Sequence, residues 1–138
     1  MDTNMRLTSV LERCHSIRDR VIFDPYFSST HIDELHCAII FVHAFWSGPS
    51  VQTFVRIVDL IGSLDNDAVV TLVVCDIDEI EPVYSILYAG DRTGGNGDLI
   101  WVSNGVVRAR HNSSRECDFR TTTESLLAAC KCTSQDVG

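Results

Sequence analysis

The feature that most constrains the fold is a nearly continuous apolar run over Cys37–Phe45. A run of this length without polar alternation is typical of a strand that is buried on both faces of a sheet. The segment Trp-Ser-Gly-Pro-Ser follows at 46–50, and helical periodicity then extends over Pro49–Leu64. We expect this helix to be largely buried, because its polar positions form only one narrow stripe, which consists of Gln52, Arg56, Asp59 and Ser63.

Strands and helices alternate along the rest of the chain. The patterns predict further strands at Val21–Phe23, Ala68–Cys75, Leu99–Val102 and Val106–Arg110. They predict further helices with apolar positions from Leu7 to Val21, over Ser28–Leu35, over Glu81–Tyr88 and, after a Thr121-x-x-Glu124 capping box, over Ser125–Cys130. Asn104-Gly105 predicts a tight hairpin between the last two strands. Crossover units followed by a hairpin indicate a mixed sheet with helices on both faces.

This order, with Trp46-Ser47-Gly48-Pro49-Ser50 between the central strand and the long helix, resembles the thioredoxin family, which has Trp-Cys-Gly-Pro-Cys there. Cys75-Asp-Ile-Asp-Glu79 and Leu99–Gly105 are similar to two further family landmarks. The resemblance implies an α/β fold, a three-layer α/β/α arrangement with a mixed central sheet and an extra N-terminal helix. We expect one domain over 1–138, with a helical extension at 1–20, a core at 21–132 and a flexible tail at 133–138.

The sequence departs from the family at chemically linked positions. Ser47 and Ser50 replace the two reactive cysteines, and a hydroxyl cannot form or exchange a disulfide. Counting along the chain, Phe41 occupies the position of the family's buried carboxylate, and Gly97, beside Asp98, that of its cis-proline. Cysteine-to-serine exchange is a common laboratory substitution and would account for the serines, but it would not account for Phe41 and Gly97.

Loss of the thiols implies a non-catalytic protein-interaction module that lacks disulfide oxidoreductase activity. Redox-inactive members of the family serve as adaptors, assembly factors, chaperone cofactors or inhibitors. The family binds extended peptides beside its motif, so the resemblance implies a vestigial peptide groove for a protein partner, formed by Trp46, Ser47, Gly48, Pro49, Ser50, Gly97 and Asp98. The alternative is an atypical thiol-dependent oxidoreductase that uses a displaced cysteine, either Cys75 or the Cys130/Cys132 pair.

The remaining polar residues give no sign of a cofactor or metal. None of the six cysteines forms a Cys-x-x-Cys pair, and Cys14, Cys37 and Cys75 lie in apolar runs, where a free cysteine acts as a small hydrophobe. The acidic group at 76–81 is typical of a strand-to-helix junction, although it could bind a cation. His43 is expected to be a core histidine, and Ser47 to be a helix N-cap.

Charge and hydropathy exclude two classes of partner. The formal net charge is −8, from 19 acidic and 11 basic residues with a single lysine, which argues against nucleic-acid binding. No window approaches the roughly 18 apolar residues of a membrane-spanning helix. With charges throughout the first residues and no secretory pattern, the expected location is the cytoplasm.

Overall fold

The computed structural model describes residues 3–64, 70–88, 97–111 and 118–136, with the backbone alone for residues 3, 15 and 131–136. Its helices are α1 (Thr3–Arg13), α2 (Gly48–Ser63), α3 (Tyr84–Tyr88) and α4 (Phe119–Asp136). Its strands are β1 (Val21–Phe23), β2 (Cys37–His43), β3 (Thr71–Asp76), β4 (Asp98–Ser103) and β5 (Val106–His111). No helix in this part of the chain is long and apolar enough to cross a membrane.

The strands form one mixed sheet in the order β1-β3-β2-β4-β5. β2 pairs in parallel with β3 and antiparallel with β4, so it is central, and all seven of its residues are buried. β4 and β5 form the antiparallel hairpin. The predicted pairing of the two apolar runs, the hairpin and the three-layer arrangement are therefore confirmed.

Each face of the sheet carries its own apolar core. On one face, Phe41 and Trp101 pack with residues of α2 and α4 and with Val10, Cys14 and Ile17 of the N-terminal segment. The other face has thinner cover, in which Ile40, Val73 and Ile100 pack against α3 and the segment that joins β1 to β2. The N-terminal segment thus lies on the same face as α2, and it thickens that layer.

Two predicted helices differ from the structure. The N-terminal periodicity is divided between α1 and a 3₁₀ segment at His15–Arg20, with Ile17 in a non-helical conformation. The helix predicted at Ser28–Leu35 is only a 3₁₀ turn at Ile32–Glu34. The carboxylate of Asp24 accepts hydrogen bonds from the backbone of Ser28 and Ser29 and from the hydroxyl of Thr30, at 2.8–3.2 Å. These residues therefore stabilise a loop and do not cap a helix.

The last helix is longer than predicted in both directions. Asp118 begins it, since its carboxylate accepts hydrogen bonds from the backbone nitrogen and the hydroxyl of Thr121 at 3.1 and 2.7 Å. These bonds keep the pKa of Asp118 below its usual value. The helix continues to Asp136, so the segment predicted as a tail is helical as far as that residue.

Candidate functional site: the junction of β2 and α2

The serine motif lies where β2 ends and α2 begins. Ser47 is the N-cap of α2, as predicted, and its hydroxyl accepts a hydrogen bond from the backbone nitrogen of Ser50 at 3.4 Å. Pro49 lies in the first turn, where its missing N–H is tolerated. Ser47 is itself buried. Its hydroxyl therefore serves the helix end and is not presented to solvent.

Ser50 belongs to a buried hydrogen-bond network. Its side chain has no solvent exposure, its Oγ lies 2.8 Å from Nδ1 of His43, and it accepts a hydrogen bond from the backbone nitrogen of Ala44 at 3.0 Å. Burial, followed by the charges of Arg13 and Arg6, lowers the pKa of His43 to about 3. The imidazole is therefore neutral near pH 7, and its tautomer decides whether Ser50 or Nδ1 donates the proton of this hydrogen bond.

A serine hydrogen-bonded to a neutral histidine is the pairing found in hydrolases with a serine nucleophile. Here the pair is enclosed. The ring of His43 contacts those of Phe41, Phe45 and Phe54, with centroids 5.0, 4.1 and 5.4 Å away. Because the side chain of Ser50 has no solvent exposure, a substrate cannot reach its hydroxyl. The pair therefore stabilises the junction. The sequence pattern predicts a core position for His43 and includes Ser50 in the motif, but it does not predict the hydrogen bond between them.

Phe41 and Gly97 are in direct contact across the junction. A Cβ atom at position 97 would lie 2.9 Å from Cε2 of Phe41 and 3.1 Å from Oγ of Ser50. The backbone φ of Gly97 is +92°, whereas a proline ring requires a φ near about −65°. The aromatic ring thus fills the space that a side chain at position 97 would need, and the two departures from the family pattern depend on each other.

The outer rim of the junction is exposed. Trp46 is 67% exposed, and Gly48 and Pro49 are also at the surface. Gly97 and Asp98 are buried, and the Asp98 carboxylate accepts a hydrogen bond from the hydroxyl of Tyr88 at 2.5 Å. The structure therefore brings Gly97 against Ser50 and leaves Trp46 in solvent. The loop residues Gly94–Asn96 lie outside the described residues.

Two carboxylates of the acidic group at 76–81 pair with an arginine of the same chain. Asp76 is buried and forms an ion pair with Arg6 of α1, which also lies 3.4 Å from Asp78. The Arg6 guanidinium also lies 5.3 Å from the ring centroid of Phe45. In the described part of the chain, no three His, Cys, Asp or Glu residues are placed to hold a metal ion. Arg6 thus supplies the cation at this position and attaches α1 to the sheet.

Two of the cysteines are buried free thiols. Cys75 contacts the carbonyl oxygen of Phe41 at 3.7 Å, and burial is the main cause that raises its pKa far above the usual value. Cys14 is also buried, and its pKa is raised for the same reason. A thiol reacts as the thiolate. Neither residue is therefore a nucleophile at neutral pH.

Cys37 and Cys130 form a disulfide, with Cα atoms 5.9 Å apart. The interpretation of Cys37 as a free core cysteine was therefore wrong. The two residues are 93 positions apart, and each lies in an apolar run of its own. Their pairing follows only from the packing of α4 across the first residue of β2, and no local spacing signals it. The side chain of Cys132 and all of Cys117 lie outside the described residues.

Comparison with known proteins identifies the fold. No protein-family model and no curated protein matches the chain. The structure is similar to reduced desulfothioredoxin from Desulfovibrio vulgaris Hildenborough, with a TM-score of 0.53 and 16% identity over 78% of this chain and 95% of that one. It is also similar to a chain from a study of the thiol resolving mechanism in yeast mitochondrial 1-Cys peroxiredoxin via glutathione/thioredoxin systems, with a TM-score of 0.50 and 19% identity over 76% and 98%.

Identity at this level shows the fold alone. The strand order, the central position of β2 and the motif at the start of α2 agree with these similarities. The chain therefore has the thioredoxin-like fold, with serines at the two positions where the Trp-Cys-Gly-Pro-Cys motif has cysteines.

Proposed function

We propose that this chain is a non-catalytic thioredoxin-like module that binds a protein partner through the Trp46 rim, defined as residues 46–49. The observation that carries the proposal is the contrast within this segment. The hydroxyls of Ser47 and Ser50 have structural roles in the interior, whereas the neighbouring tryptophan is 67% exposed. The chemistry at this end of the sheet is enclosed, and the binding surface is open.

An exposed tryptophan supports binding for a physical reason. Its large apolar surface gains free energy when it leaves water, and tryptophan is among the residues that contribute most to protein interfaces. Trp46 has the highest exposure among the large apolar side chains of the described residues. It is held on a short connection between a buried strand and a long helix, so little conformational entropy is lost on binding.

Four positions at the junction of β2 and α2 argue against thiol chemistry of the thioredoxin kind. Ser47 and Ser50 cannot form a mixed disulfide with a substrate. Phe41 has no carboxylate to move a proton. Gly97 cannot present the proline that the family uses to align its substrates, and the ring of Phe41 leaves no space for one. An enzyme of the thioredoxin kind would need all four positions to change together.

The properties of Cys75 argue against the alternative function, an atypical thiol oxidoreductase. That thiol is fully buried and has a raised pKa, so it reacts slowly with any electrophile. Cys130, which the alternative pairs with Cys132, is bonded to Cys37 and is not a free thiol. The Cys37–Cys130 disulfide can still exchange with other thiols, but it lies at the opposite end of β2 from the serine motif.

We expect Trp46→Ala to weaken capture of the partner by about 30-fold, the loss typical of an interface hot spot. The test is quantitative cross-linking of tagged protein in extracts of the source cell. Tyr26→Ala is the matched control, because Tyr26 is a half-exposed aromatic on the segment between β1 and β2. A species captured equally by both variants would exclude the Trp46 rim as the binding surface.

A further inference from the structure

The Cys37–Cys130 disulfide lies at the opposite end of β2 from the serine motif. Cys37 is the first residue of this strand and His43 the last, and six steps along a strand span about 20 Å. The bond is therefore not a displaced version of the family's active site. It joins the central strand to α4, and both residues are buried apart from a small exposed fraction, which is 6% for Cys37 and 5% for Cys130.

The first half of α4 is held without this bond. Phe119 and Leu126 are buried in the core, and the indole nitrogen of Trp101 donates a hydrogen bond to the hydroxyl of Thr123 at 3.0 Å. The guanidinium of Arg56 adds a cation–π contact, 4.6 Å from the ring centroid of Phe119. These contacts involve residues 119–126, which are independent of Cys130.

The second half of α4 depends on Cys130. From 131 to 136 the helix reads Lys-Cys-Thr-Ser-Gln-Asp, which includes no large apolar residue to pack on the sheet. Thr, Ser and Asp are also weak helix formers. Among the side chains of α4 that the structure describes, Cys130 is the last, and the disulfide joins it to the sheet. We therefore expect the final turns to be released first when the bond breaks.

We propose that the Cys37–Cys130 disulfide is a redox-responsive bond, which dithiols open and oxidants close, and that it controls the docking of the second half of α4. This inference is independent of the proposed function, because it does not involve the Trp46 rim. In the cytosol, permanent structural disulfides are rare. The disulfides found there are usually transient, and some belong to redox sensors.

The exchange balances with a dithiol as reductant. One thiolate of the dithiol attacks Sγ of Cys130 and forms a mixed disulfide, the Cys37–Cys130 bond breaks, and the electron pair leaves on Sγ of Cys37, which takes up a proton. The second thiol of the reagent loses its proton and displaces Cys130, whose sulfur is protonated in turn. The dithiol is oxidised to a disulfide, and the chain is reduced to two thiols.

The test equilibrates the native chain in mixtures of dihydrolipoate and lipoate, a dithiol couple whose redox poise is set to range from that of the cytosol to that of secretory compartments. Alkylation and peptide mass spectrometry then measure the bonded fraction, and hydrogen exchange measures the amides in both states. We expect half-reduction within this range. We also expect exchange at 127–136 to increase at least tenfold more than exchange in β3. Cys132→Ser is the control and should respond like the native chain.

Three results would overturn the proposal. The bond could stay closed in the most reducing buffer, which makes it a permanent staple. The exchange of β3 could rise together with that of α4, or the Cys37→Ser/Cys130→Ser chain could fail to fold, either of which shows that the bond maintains the whole domain. Finally, Cys132→Ser could abolish the response, which would assign it to a different pair of thiols. The double-serine chain should otherwise show the exchange pattern of the reduced protein.

Discussion

At position 97 the backbone has a φ of +92°, and the ring of Phe41 lies against the α-carbon. Only glycine combines that angle with so close an approach at low cost. Phe41 and Gly97 are therefore one steric unit, in which the large side chain at 41 requires the smallest residue at 97. A laboratory exchange of two cysteines would not create this unit.

Gly97→Ala should lower the free energy of unfolding by about 1–3 kcal/mol, from backbone strain and overpacking. Part of this loss should disappear in a Phe41→Leu background, where the ring no longer meets the new methyl group. Urea unfolding of the double-mutant cycle measures the coupling. Gly62→Ala is the control, because its new Cβ would meet nothing closer than 3.6 Å. Equal losses in both backgrounds would contradict the steric account.

His43 should make the fold sensitive to acid. Its pKa falls from 6.5 to about 3 on folding, so the unfolded chain binds a proton between these values while the folded chain does not. Stability is therefore lost as the pH falls from about 6.5 toward 3, and the loss from this residue is about 2 kcal/mol at pH 5. His43→Gln, which keeps an acceptor for Ser50, should flatten this part of the profile.

The measurement is the free energy of unfolding of both chains from pH 7.5 to pH 5. His31→Gln, at an exposed position, is the control and should retain the acid sensitivity of the native chain. If the stability of His43→Gln fell with pH as much as that of the native chain, the assignment of a neutral, buried histidine at the junction would be wrong.

At the scale of elements, continuous apolar runs and strong periodicity made prediction possible. The run over Cys37–Phe45 forms the central strand, as predicted, whereas the exposed face of α2 is wider than its polar stripe and includes Val55, so the helix is less buried than expected. The short helix predicted at Ser28–Leu35 failed because Asp24 binds the residues that were expected to cap it. Capping residues stabilise loops as well as helices, and only tertiary structure distinguishes the two uses.

The features of the site that depend on neighbouring residues in the sequence could be predicted, whereas those that depend on tertiary packing could not. Ser47 as an N-cap follows from the motif alone. The bond between His43 and Ser50 crosses a turn whose geometry the sequence does not specify. The pairing of Cys37 with Cys130 requires the path of α4 over the sheet, and the ion pair of Arg6 with Asp76 requires the position of α1.

At the scale of the whole molecule, β2 separates two different surfaces. One end leads to the exposed Trp46 rim, and the other carries the disulfide to α4. A partner bound at the rim and a redox change at the disulfide would act about 20 Å apart, on the two ends of one buried strand. The two proposals can therefore fail independently, and each has its own variants.

The measurement that most directly tests the central claim is a turbidimetric assay of insulin disulfide reduction by dithiothreitol. The native chain should leave the rate at that of the reagent alone. Ser47→Cys/Ser50→Cys should remain at least about a hundredfold below a working thioredoxin, because Phe41 and Gly97 supply neither proton transfer nor alignment. Cys37→Ser/Cys130→Ser is assayed beside them, to remove any reaction through the disulfide. Catalysis by that chain, with Ser47 and Ser50 intact, would contradict the account.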